Sequence, residues 1–286
     1  MAHRIFILFL VFTSVMAMLA VALHGFGYYL TPTHMRQFRE DYERMKPSSN
    51  YSHGLGILGA SMIIIGVSTY STRKRMQALW NLGKLSRWLE FHIFLCLLGP
   101  LLVTFHTTFK AGGVAAISLW TMLSVASSGI IGRFLYAQIP KNLQGNELTA
   151  GQITNELDRL STKLSSSPMG DRLTKMIYQS FESLPKPKSI VEAVTAFVKL
   201  ASLRRNIRRH VHGLIASNVR SKAAAKELQL TATAFASLIQ KSLVFNQAGK
   251  LFYYWHAIHV PFTVIMFITL VAHILVTMVL GYRWIF

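Results

Sequence analysis

The stretch WLEFHIFLCLLGPLLVTFHTTFKAGG, residues 88–113, sets two histidines, His92 and His106, into one long apolar run. A helix needs about 20 mainly apolar residues to cross the hydrocarbon core of a bilayer, and residues 88–108 supply them. The end of the chain repeats the arrangement. YYWHAIHVPFTVIMFITLVAHILVTMVLGYRWIF, residues 253–286, carries His259 and His273 in an apolar run over 256–282. Both histidine pairs are 14 residues apart. At about 100° per residue, 14 steps fall about 40° short of four turns, so each pair lies on one face of its helix. Its members are about 21 Å apart along the axis, one near each side of a core about 30 Å thick.

Three further apolar runs, over 5–30, 55–70 and 114–137, bring the expected spans to five. Composition agrees. Of 286 residues, 52% are hydrophobic and 14% charged, which is too apolar for an ordinary soluble domain. The net charge of +19 would suit a nucleic-acid binder. The basic residues instead sit between the apolar runs, as in loops that flank a membrane, and no nucleic-acid partner is expected. The first run has a rival reading as a secretory leader, with Arg4 before it and Ala20-Val21-Ala22 late in it. It is long for a leader, so a retained helix is the expectation. The fold class is then an all-α membrane protein, a bundle of about five transmembrane helices with a helical insert. Residues 1–137 hold four spans, 138–255 the basic insert, and 256–286 the fifth span.

Lys and Arg mark the cytoplasmic loops of membrane proteins. The loop after the second span carries Arg73, Lys74, Arg75, Lys84 and Arg87, and 138–255 carries 17 Lys/Arg against 7 Asp/Glu. The turn after the third span has only Lys110, and 31–52 mixes its bases with Glu40, Asp41 and Glu43. This alternation puts the N-terminus in the cytoplasm and the C-terminus outside. Within the insert, the polar run Gln144 to Glu147 reads as a loop and Thr149 as a helix N-cap. Ile153, Leu157, Leu160 and Leu164 follow at helical spacing. Pro185 and Pro187 break the segment, and helix-like sequence resumes over 190–243. No strand–glycine loop–helix unit appears, so no flavin or nicotinamide domain is expected. Arg204, Arg205, Arg208 and Arg209 form either a solvated or headgroup-facing surface or a docking face for an acidic partner.

Ionisable residues inside spans are costly and usually functional. Haem iron takes two axial imidazoles, one from each of two facing helices. The third and fifth spans run parallel by count, so His92 pairs with His259 on the cytoplasmic side and His106 with His273 on the outer side. That is a ligand set for two bis-histidine haems b. The competing reading has the four histidines hydrogen-bonding between helices or lining a polar cavity. The single cysteine, Cys96, provides neither a CxxCH attachment nor an iron–sulfur ligand set.

Other residues fit around this scheme. Gly99, seven residues from each of His92 and His106, leaves room for a porphyrin edge, and Met266 holds the equivalent place in the fifth span. Arg133 either pairs with a haem propionate or snorkels to the headgroups. Glu90 is a proton relay or an interfacial carboxylate. His24 and His53, each followed by glycine, fall at the level of the outer haem. They hydrogen-bond in the interface, flank a quinone, or ligate a third haem. His256 lies about 100° from His273 and is a second-choice ligand, while His210 and His212 are solvated. The GxGxxG match at 54–59 opens a span with no preceding strand and reads as a close-packing face. Phe252, Tyr253, Tyr254 and Trp255 read as an interfacial belt.

The two quoted stretches resemble the di-haem cytochrome b superfamily, the membrane subunits of respiratory complexes, and in particular bacterial cytochrome b domain proteins. The resemblance covers those stretches and is weak elsewhere. It implies low-spin haems b in a bacterial inner membrane, in contact with lipid and the quinone pool. It also implies electron exchange with other redox subunits of iron–sulfur, flavin or multihaem c type. Competing expectations are a quinol-oxidising or metal-reducing oxidoreductase with its own substrate site, and a haem-free scaffold subunit. The long insert before the last span departs from the family pattern and leaves the partner assignment open.

Overall fold

A computed structural model describes residues 2–110, 112–113, 115–140, 148–167, 169–182 and 190–280. The expected loop Gln144–Glu147 and the breaks at Pro185 and Pro187 lie outside the described residues. Among the described residues the chain is helical with no strand. Five helices are long and apolar enough to cross a membrane, and the chain is a multi-pass membrane protein of all-α class.

The chain forms two compact units, residues 1–130 with 257–286, and residues 131–256. The first begins with α1 (Ala2–His24) and the short α2 (Phe26–Leu30). The expected single run over 5–30 is broken at Gly25, where a Cβ would collide with Tyr29 and Met45. A short α3 (Tyr42–Met45) follows. Beside it, Arg39 donates two bonds to Asp41, at 2.7 and 2.9 Å, and this guanidinium holds the carboxyl below the usual carboxylate range.

α4 (Asn50–Arg75) outruns its apolar stretch at both ends. Ser49 caps its start by accepting from the Ser52 N–H, and Arg73, Lys74 and Arg75 oppose the negative end of its dipole. α5 (Leu85–His106) returns antiparallel to α4 and α6 (Ala115–Gln138) follows. Two small cores tie these helices together. Leu55, Leu98, Leu102 and Phe105 pack α4 on α5 against Ala17 and Val21 of α1. Ile63, Leu119, Met122 and Met266 join α4, α6 and the last helix. The outward faces are apolar, with Leu8, Phe12 and Ile268 all exposed, as lipid contact requires when every backbone group is satisfied within its helix.

The second unit contains α7 (Ala150–Ser165), α8 (Gly170–Glu182) and α9 (Ile190–Asn218). Thr149 caps α7 in a reciprocal capping box with Gln152. Ile153, Leu160 and Leu164 are buried against Leu173, Ile177 and Phe181 of α8 and Ile207 and Val211 of α9. The helix-like stretch 190–243 breaks at 219–221, where Asn218 folds back onto the Leu214 carbonyl and Ser221 accepts from the Ala224 N–H. From there α10 (Lys222–Val279) runs unbroken for 58 residues, about 87 Å. The expected start of a separate helix near residue 256 is absent, and the helix runs on through both Gly249 and Pro261.

Candidate functional site

The site grows out of the contact between α4 and α5. A Cβ on Gly59 would lie 2.6 Å from the Gly99 carbonyl oxygen, and one on Gly99 2.7 Å from the Gly59 oxygen. Only glycine at both positions lets the two backbones touch. This corrects the expectation for Gly99. Its open side is filled by Gly59 and Ile63, so Gly99 serves helix packing and gives no clearance to a porphyrin. The GxGxxG stretch is the close-packing face expected of it at Gly56 and Gly59.

His92 and His106 flank this contact and turn their rings onto α4. His106 Nδ1 lies 2.9 Å from the Ser52 carbonyl oxygen, and His92 Nδ1 lies 3.0 Å from that of Gly66. Ser52 and Gly66 are themselves 14 residues apart, so α4 carries a matching pair of acceptors. A carbonyl only accepts, so each Nδ1 carries the proton and each Nε2 keeps its lone pair. Gly56 makes the His106 contact feasible, since a Cβ there would stand 2.9 Å from the imidazole Cγ.

His106 and His273 line one cavity of about 690 Å³, together with His53, Gly56, Lys110, Leu119 and Met122. The volume is that of a site for a cofactor-sized molecule. The His53 ring centroid is 5.9 Å from that of His106, edge to face. α4, α5, α6 and α10 thus bring three imidazoles and one lysine to a mostly apolar chamber.

The other two expected ligands are held differently. His92 packs on Tyr70, ring centroids 5.2 Å apart, with Cys96 Sγ at 3.6 Å. His259 Nδ1 lies 2.6 Å from Ser128 Oγ, whose hydroxyl donates to the Val125 carbonyl at 2.9 Å. Neither lines the chamber of His106 and His273. His24 is exposed, its ring tilted against Tyr51 with centroids 4.6 Å apart, and it is not part of the lining of that chamber. Arg133 is exposed and belongs to the second unit, as does His256, which stacks on Phe252. Met266 is buried in the α4–α6–α10 core.

The residues at the His106 level fit a haem. The porphyrin supplies four equatorial nitrogens, so the protein owes iron only two axial imidazoles. No three His, Cys, Asp or Glu side chains converge as ligands of a bare metal ion among the described residues. An apolar chamber lined by His106, with its Nε2 lone pair free, and by a second imidazole from His273 suits the former need. Lys110 adds a cation for a carboxylate.

Two buried arginines close the ends of this unit, Arg36, which the sequence did not single out, and Arg73, which it marked only as a loop charge. Arg36, 5% exposed, donates to the Thr31, Tyr29 and Thr108 carbonyls and lies over the Tyr28 ring. It caps the chain leaving α5, where Thr108 and Phe109 adopt positive φ. Arg73, 6% exposed, donates to the Trp80 and Gly83 carbonyls and ties the α4–α5 loop. Comparison with protein-family models, with curated proteins and with solved structures finds no match.

Proposed function

We propose that this chain is a membrane electron-transfer subunit holding haem b at two levels, His106 with His273 and His92 with His259. The observation that carries the reading is the single chamber lined by His106 and His273. Its support is the pair of α4 carbonyls that keep the Nε2 lone pairs of His92 and His106 available. Bound haem b supplies one-electron chemistry over a potential set by its surroundings. The chain's own residues do the rest. The Ser52 and Gly66 carbonyls orient two rings, Ser128 orients a third, and Ile63, Leu119 and Met122 give the chamber an apolar lining.

In this reading the basic bias of 72–87 and 138–255 marks the cytoplasmic side, with the C-terminus outside, and the resemblance to bacterial cytochrome b proteins suggests a bacterial inner membrane. Electrons then pass between the quinone pool or an outer redox partner and a cytoplasmic one. Pyridine haemochrome analysis of the purified protein should give about two non-covalent haems per chain. A colourless protein overturns the reading in favour of a haem-free scaffold. Impermeant thiol labelling of single cysteines in intact cells should reach 31–52 and miss 138–255. The opposite pattern reverses the order of the levels.

One observation favours a second reading, an oxidoreductase with its own quinol site. His53 lines the same chamber and is an imidazole that two-ligand binding of iron does not use.

A further inference from the structure

The second unit carries a charge distribution that its own fold does not neutralise. Between Glu192 and Glu227 the sequence contains no acid. On α9, positions 204, 208 and 212 follow at four-residue steps with 205 and 209 beside them, a sector of about 140°. Arg204, Arg205, Arg208, Arg209 and His212 are all exposed there. Arg209 donates to Asn206 at 2.7 Å, and no ion pair reaches Arg204, Arg205 or Arg208 among the described residues. Glu227 is engaged by Lys163 at 2.9 Å. Lys241 of α10 adds to the excess, since it lies close enough to Arg204 for the two cations to repel. Clustered arginines with no internal counter-charge cost folding energy that an external anion would recover.

The kind of anion follows from what surrounds the arginines. The apolar side of α9 is spent on the core, with Leu200, Ile207, Val211 and Ile215 buried. Among the described residues, no large apolar side chain between Tyr178 and Leu230 is exposed. A helix that beds into a membrane surface needs such a face, and residues 202–218, which carry the arginines, expose no large apolar side chain. A row of planar guanidinium forks instead matches carboxylates two oxygens at a time.

We infer that the arginine face of α9 docks a soluble acidic electron-carrier protein, the partner from which or to which this subunit passes electrons. The inference rests on the electron-transfer reading. Opposite charge on two faces steers encounter, raises the association rate and makes it fall with salt.

The test uses the full chain in phosphatidylcholine nanodiscs, with a plant-type two-iron ferredoxin as acidic probe. Binding is read by interferometry and haem reduction by stopped flow. R205E/R209E is compared with R172E/K175E, an equal change of charge at exposed positions on α8. At low salt, R205E/R209E should slow ferredoxin association by about tenfold or more and flatten its salt dependence, while R172E/K175E changes it by less than about twofold. Dithionite should reduce all three proteins alike. Equal losses in both pairs would mean that only net charge is sensed and would overturn the proposal. Unchanged ferredoxin binding in R205E/R209E also overturns it, and protection of these arginines from trypsin by phosphatidylglycerol would then assign the face to lipid. Interferometry does not depend on haem. A colourless chain that still binds through α9 therefore removes the haem reading and leaves the docking face standing.

Discussion

The two histidine levels of the membrane unit share a spacing and differ in their surroundings. At one level His106 lies on a bare glycine, Gly56, and lines a chamber of about 690 Å³ with His273 and His53. At the other, His92 is wedged between Tyr70 and Cys96, and His259 is held by a serine hydroxyl on α6. At the first level the His106 ring is oriented by a backbone carbonyl, which mutation cannot remove. At the second the ring orientations come partly from a side chain, which it can. Equal histidine spacing therefore does not make equal surroundings. The first level is roomy and carries a spare imidazole. The second is packed and carries a replaceable hydrogen bond.

The largest effect that would break the comparison is loss of one level without the other. His106→Ala or His273→Ala should lower haem content from about two per chain to about one, with the surviving spectrum the same in both variants. His92→Ala should leave the complementary spectrum. If His106→Ala and His273→Ala leave different haems behind, the two residues do not share an iron, and the pairing fails.

Next in size is the glycine contrast. Gly56→Ala sets a methyl 2.9 Å from His106 Cγ, whereas Gly66→Ala meets Cys96 Sγ and Leu95 Cβ at 3.0 Å. Overpacking of this kind costs about 1–3 kcal/mol. At Gly56 the strain falls on the ring proposed as ligand, so haem affinity at that level should drop toward the upper end of that range, about 100-fold. Gly66→Ala should lower thermal stability with less than about tenfold loss of haem affinity. Haem titration of both proteins checks the contrast, and equal losses would mean that Gly56 acts only as packing.

Much of this architecture is legible in the sequence. Apolar run length marks the spans, because a bilayer imposes one length on every helix that crosses it. The α7 cap and its buried face follow from Thr149, Gln152 and the spacing of Ile153, Leu160 and Leu164. The glycines at 56, 59 and 99 mark small surfaces, but a small surface does not say what approaches it. At Gly99 the neighbour is α4. The Ser52 and Gly66 carbonyls are invisible in sequence, since every residue has one. They become meaningful only once α4 and α5 are in antiparallel register. Ser128 is hidden for the same reason, because nothing in the period of α6 points to α10. The continuity of α10 is missed because a span boundary in composition is not a boundary in hydrogen bonding.

A smaller effect sharpens the difference in how the rings are held. Ser128→Ala removes the partner of His259 Nδ1. Loss of such an outer hydrogen bond typically weakens a metal site 10–100-fold, and with Tyr70 packing still holding the opposite ligand the lower figure of about tenfold is expected. Ser52→Ala should leave haem affinity unchanged, since the Ser52 carbonyl remains. It costs only the hydroxyl bond to Met45, about 1 kcal/mol of stability. Parallel haem titrations and melts separate the two. A loss of haem affinity in Ser52→Ala would show that the side chain, and not the backbone, sets the ring.

The smallest effect on the haems is expected from His53→Ala, and for that reason it is the most specific. His53 shares the chamber but lies outside the matched pairs, with its ring 5.9 Å from that of His106. A neutral imidazole offers an acceptor nitrogen that can hold one quinol hydroxyl and take its proton, while its N–H keeps a second contact. Both haems should therefore remain in the spectrum of His53→Ala, with unchanged content. Reduction of the protein by a water-soluble quinol should slow by about 100-fold, the lower edge of what a positioned proton acceptor contributes. Dithionite needs no such acceptor, and its reduction of the variant should match that of the unaltered chain. His24→Ala supplies the contrast, because His24 is exposed against Tyr51 outside the chamber and should leave both rates alone. If His53→Ala removes a haem, His53 is a ligand, and the chamber holds its iron through a different pair. If it slows dithionite and quinol equally, the residue shapes access to the chamber and takes no part in proton transfer.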